Sequence, residues 1–198
     1  MSSQARVRFE GALSDAELLC LRGNASNLSQ KQRRVQYHAA LAASVAAWEA
    51  YLESVVREFL KEIADPLNLT FTALRMLLEP KVEAELKRFN TPNSSNSRKL
   101  IYESTGYDPI NDWNWPAKSM SGIAVRGLVD EIIQVRHSFA HGYKMPAYSW
   151  NVDSRGDARL TSTSLKMVSG LFLNLVEATD RGLDLYIKGS YGKLRVWY

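Results

Sequence analysis

The sequence holds one cysteine, three histidines and six prolines in 198 residues. Each scarcity excludes something. A single cysteine, Cys20, permits no intrachain disulfide and suits a reducing compartment, so a cytoplasmic location is expected. No cysteine cluster, H-E-x-x-H, phosphate-binding glycine loop or G-x-S-x-G occurs. No run of about 18 apolar residues occurs, so no membrane span and no membrane partner are expected. The start, Met1-Ser2-Ser3-Gln4-Ala5-Arg6, carries no apolar core of a secretion signal. Neither repeats nor low-complexity tracts interrupt the chain.

What is present is helical. Apolar residues make up 45%, enough for a real core, and the length suits one domain over 1–198 with its core at roughly 30–190. Leu41, Val45, Trp48, Leu52, Val55, Phe59 and Ile63 recur at steps of three and four, with Ala42, Val56 and Leu60 widening the stripe. This predicts a long helix from near Gln30 to before Pro66. Leu18, Leu19 and Leu21 suggest a short helix ahead of it. Two helical pieces separated by Pro80 are expected between Phe71 and Phe89. Asn90 to Ser97 reads as a loop, Arg98 to Ser104 as a helix stopped by Gly106, and Tyr107 to Pro116 as an irregular connector. A helix follows from about Ser119 to His141, with Leu128, Ile132, Val135 and Phe139 as its buried stripe and Gly142 as its stop. Tyr148 to Leu160 is expected to hold a small hairpin turning at Ser154-Arg155-Gly156-Asp157. The last helix, capped by Ser162 or Ser164, buries Leu165, Val168, Leu171, Leu175, Thr179, Leu183 and Tyr186. The tail Lys193 to Tyr198 is apolar enough to dock. The expected fold is all-α, a bundle of about four to six helices with wide apolar faces that favour a dimer.

The net charge of +4 and a pI near 9.2 favour contact with phosphate backbones, though many proteins of this charge never meet nucleic acid. The chemistry concentrates in Arg136-His137-Ser138-Phe139-Ala140-His141-Gly142-Tyr143. Arginine offers a planar, permanently charged fork for phosphate. Histidine gives or takes a proton near neutral pH, and a helix C-terminus favours its charged form. Cutting RNA through its own 2′-hydroxyl needs these two functions and no metal or other cofactor. Spacing alone is weak. Fifteen arginines and three histidines produce about 0.2 R-x4-H pairs by chance, and Arg33 with His38 is a second pair. That pair lies early in a long helix and is followed by Ala39 and Ala40. His141 stands at a helix end beside a glycine.

Arg136, His141 and Tyr143 match the R-x4-H-x-Y form of the HEPN signature. The order of elements fits too: a long early helix bearing Trp48 and Glu49, a loop with Phe89 and Pro92, a glycine-ended short helix, the motif helix and one more. Over roughly residues 30–190 the chain resembles the RiboL-PSP branch of HEPN proteins. The resemblance implies a metal-independent endoribonuclease of a toxin or antiviral defence system, leaving 2′,3′-cyclic phosphate and 5′-hydroxyl ends. It implies a homodimer whose motifs meet in a shared cleft, and an antitoxin or other defence protein as partner. It makes Tyr143 the tyrosine that a partner nucleotidyltransferase modifies in some HEPN toxins, and Glu49 or Glu53 an acid supporting Arg136. A catalytically silent module binding a nucleotide or partner protein is the alternative.

Other readings of the same residues stay open. His141 can cap its helix, Arg136 can be a structural ion-pair partner, and Tyr143 can be ordinary packing. His137 reads as a solvated or supporting residue. With His141 it has the helical spacing of a zinc pair, but no third ligand is evident. Trp48, Tyr51 and Trp113 read as core. Arg155 and Arg159 are either RNA contacts or plain surface charges. Five residues turn a helix through about 140°, so Arg136 and His141 do not share a face. Convergence across a two-fold axis is the expected remedy.

Overall fold

The computed structural model describes residues 2–64, 69–193 and 196–197. Among these residues six helices carry the fold: α1 (Gln4–Gly23), α2 (Gln30–Glu62), α3 (Leu69–Arg88), α4 (Ser94–Thr105), α5 (Gly122–Ala140) and α6 (Ser162–Tyr191). Among the described residues there is no sheet, only two isolated bridges. The chain is an all-α bundle.

The centre is α2, which touches the five other helices. Its stripe from Leu41 to Ile63 is buried, as the three-and-four spacing predicts. Ser29 caps its start and Gln32 returns the bond, closing a capping box. Its 33 residues are long and apolar enough to cross a membrane, but the apolar side lies inside the bundle. Pro66, expected just beyond this helix, is outside the described residues.

Several boundaries differ from expectation, each for a local reason. Helix α1 spans 20 residues rather than a short piece around Leu18. Its buried stripe is Ala5, Phe9, Leu13, Ala16 and Cys20, while Leu18 and Leu21 face solvent. Small residues carry much of that stripe, so the leucines mislead. Helix α3 runs through Pro80 without a break. Pro80 and Met76 are exposed, so water can satisfy the carbonyl that proline leaves unbonded. Helix α4 starts at Ser94, inside the expected loop, because the Asn93 side chain accepts from the Asn96 N–H. The N-cap of α6 is Thr161, boxed with Ser164. The hairpin shrinks to one bridge, Val152 with Ala158. Its turn is held by Asp153, whose side chain accepts from the backbone N–H groups of Arg155 and Asp157. Gly106 and Gly142 end their helices in the left-handed region, at φ 78° and 70°. At the tail Val196 and Trp197 are buried, whereas Leu194, Arg195 and Tyr198 lie outside the described residues.

One buried polar knot locks three helices. Asp180 of α6 accepts from the backbone N–H of Ser3 at 2.8 Å, the Ser3 hydroxyl at 2.7 Å and the Tyr51 hydroxyl at 2.9 Å. Burial, and next the Asp180 carboxylate, hold the Tyr51 phenol well above its usual range, so it stays a donor.

Candidate functional site

The motif occupies the C-terminal end of α5. Val125, Leu128, Val129, Ile132, Ile133 and Val135 anchor the helix in the core. Past Val135 the burial fails: Phe139, expected in the stripe, is 48% exposed. The helix closes in a Schellman motif, with the Tyr143 N–H donating to Ser138 O at 2.7 Å and the Gly142 N–H to Phe139 O at 3.2 Å. Backbone amides therefore satisfy these carbonyls, and the His141 side chain is not needed as a cap.

His141 is the C-cap residue and is exposed. Its ring stacks on Tyr143 at 5.8 Å and meets His137 edge-on at 6.2 Å. The four-residue spacing of the two histidines thus does put them side by side. Tyr143 is 72% exposed and lies outside the buried core. Among the described residues no group of three or more His, Cys, Asp or Glu side chains converges to hold a metal ion.

Arg136 is half-buried, and its charge acts on Glu49 of α2. Burial pushes the Glu49 carboxyl up, Glu53 adds to the rise, and Arg136 opposes it. Glu53 is engaged elsewhere, at 3.4 Å from Arg57, which also pairs with Glu83 at 2.8 Å. Glu49, by contrast, has no ion pair among the described residues and feels the charge of Arg136. Arg136 has no ion pair among the described residues, so it is not a closed structural bridge. Burial lowers the His137 imidazole, and the charges of Arg136 and His141 lower it further. His137 is thus the group on which both motif residues act.

A profile of the RiboL-PSP-HEPN family matches residues 13–184. The chain belongs to this HEPN family. The match starts within α1, earlier than the expected core at residue 30, and takes in most of α6. No curated protein and no solved structure matches at a significant level.

The look-alike pair has a place in this HEPN fold that spacing does not suggest. His38 is buried, and its ring lies flat on Phe139 at 4.1 Å and 14°. It packs the motif helix against α2. No local pattern reveals this, because the two residues are far apart in the chain. Burial first, and Arg34 second, hold the His38 imidazole down to about 4. The unfolded imidazole titrates near 6.5, at about 1.4 kcal/mol per unit of difference. A depressed folded value means this stability is complete above about pH 6.5 and lost as pH falls toward 4. Urea unfolding at about pH 7.5 and 4.5 is therefore expected to differ by about 2–3 kcal/mol from this group alone. His38→Phe should flatten that part of the profile, and an unchanged profile would refute the role.

Arg155 and Arg159 sit on the turn after the motif, and both line a cleft with Arg33 and Arg34 of α2. Trp48, Tyr51 and Trp113, read as core, are fully buried.

Proposed function

We propose that this HEPN chain is an endoribonuclease that cuts RNA by attack of its 2′-hydroxyl, without a metal ion. One observation carries the reading. His137, His141 and Tyr143 gather at the open helix end that begins at Arg136, and none of these four side chains has a hydrogen bond or ion pair among the described residues. Groups left uncommitted by the fold are available to a substrate.

The reaction balances on these groups. A base takes the 2′-hydroxyl proton, the 2′ oxygen attacks phosphorus, and the bond to the 5′ oxygen breaks. An acid then gives that oxygen a proton, leaving 2′,3′-cyclic phosphate and 5′-hydroxyl ends. Arg136 stabilises charge on the phosphoryl oxygens, and His141 is the general acid or base. His137 and Tyr143 flank it as supporting groups, and Glu49 positions Arg136. A homodimer brings Arg136 of one chain to His141 of the other. The setting is cytoplasmic, in a toxin or antiviral defence system, with an antitoxin or other defence protein as partner.

Incubation of the purified chain with RNA is the test. Cleavage is expected to survive EDTA and to leave cyclic-phosphate ends. RNA that is bound but never cut, under any condition, would instead assign the chain to the non-catalytic HEPN alternative.

A further inference from the structure

Beyond the motif, the strongest unassigned feature is the cleft between the start of α2 and the turn at 153–159. It encloses about 600 Å³ and is lined by Arg33, Arg34, Arg155 and Arg159, with Asp153 and Asp157 as its carboxylates among the described residues. None of these four guanidinium groups has a carboxylate within 4 Å among the described residues. The one acid with a defined task, Asp153, accepts from the backbone amides of Arg155 and Asp157 at 2.9 and 3.2 Å. Arg33 has a buried Nε with no hydrogen-bond partner among the described residues, and its guanidinium donates to Ala25 O at 3.4 Å. Four forks free of ion pairs in one concavity suit an anion with several oxygens.

The cleft is joined to the motif. Arg34 acts on His38, one turn further along α2, and His38 stacks on Phe139, two residues before His141. On the other wall, the segment after Gly142 is pinned back along α5. The Tyr148 hydroxyl donates to Gln134 at 2.6 Å, and the Trp150 indole donates to Glu131 at 3.1 Å. Asn151, buried, receives the Arg159 N–H at its carbonyl oxygen and so fixes the far side of the turn. Both arginine pairs are thereby held on elements that pack against the motif helix.

We propose that this cleft binds the phosphodiester backbone of single-stranded RNA and leads it toward His141. The inference rests on the endoribonuclease reading and extends the RNA-binding surface to Arg33 and Arg34. The probe is a fluorescent single-stranded oligoribonucleotide with 2′-O-methyl riboses, which 2′-hydroxyl attack cannot cut. Its anisotropy is measured on the full chain against salt. Replacing all four arginines with alanine should weaken binding by about 10-fold or more and flatten the salt dependence by about 0.7 for each phosphate no longer neutralised. The four Arg→Lys changes keep the charge and remove the fork, so an intermediate affinity with an unchanged salt slope is expected. They also serve if the alanine chain does not fold. Binding and salt slope unaltered by the alanine changes in a folded chain overturn the proposal. So does displacement of the probe by poly-glutamate at equal charge, or tighter binding of the matching oligodeoxynucleotide. Cleft-dependent binding with no cleavage of any RNA would sink the nuclease reading and leave the cleft standing. Cleavage untouched by the four changes would do the reverse.

Discussion

RNA cleavage by the His141→Ala chain is expected to fall by about 10²- to 10⁴-fold, the usual worth of a positioned proton-transfer group. The His141 side chain is exposed, stacks on Tyr143, meets His137 edge-on and is not needed to cap its helix, so its removal should leave stability nearly unchanged. Arg136→Ala is expected to cost about 10²- to 10³-fold by withdrawing charge stabilisation. Arg136→Lys should recover only part of that, since a point charge replaces a fork. The proposed two-fold site adds a sharper outcome. Mixing and re-equilibrating the Arg136→Ala and His141→Ala chains should restore about a quarter of wild-type activity, because half the dimers would then hold one intact composite site. No recovery on mixing would place Arg136 and His141 in the same working site of one chain. Full activity in either single variant would remove that residue from the chemistry.

Trp48→Ala is expected to destabilise the fold by about 3–5 kcal/mol, a large share of the roughly 5–15 kcal/mol holding a domain together. Trp48 is 0% exposed. Its ring stacks on Tyr51 and Phe172, both at 5.7 Å, and meets Trp113 edge-on at 6.0 Å. Its indole N–H donates to the carbonyl of Pro92 at 3.2 Å, tying α2 to the loop that opens α4. Trp48→Phe keeps most of the apolar packing but leaves that carbonyl unpaired, so about 1–3 kcal/mol is expected. Denaturant midpoints at constant slope read both values. A change below about 1 kcal/mol for the alanine variant would mean that this aromatic cluster does not hold the bundle together.

Helix existence was legible where apolar residues are large and regularly spaced. The stripes of α2 and α6 show this, and so does the glycine stop at Gly142. Legibility failed where the buried face is built of small residues, as in α1, where Ala5, Ala16 and Cys20 share the work with Phe9 and Leu13. It failed again at Pro80, because whether proline breaks a helix depends on solvent at the freed carbonyl. It failed at Phe139 as well, where a helical stripe continues past the point at which the core ends.

The sequence by itself determined the fold class, the central helix, and the motif at a helix end with its two histidines on one face. Those follow from short-range rules of periodicity, capping and spacing. Only the tertiary structure decided that Arg136 of α5 acts on Glu49 of α2. Only it laid His38 on Phe139 and brought Arg33 and Arg34 beside Arg155 and Arg159. These pairings link residues far apart in the chain, and no local pattern encodes which faces meet when helices pack.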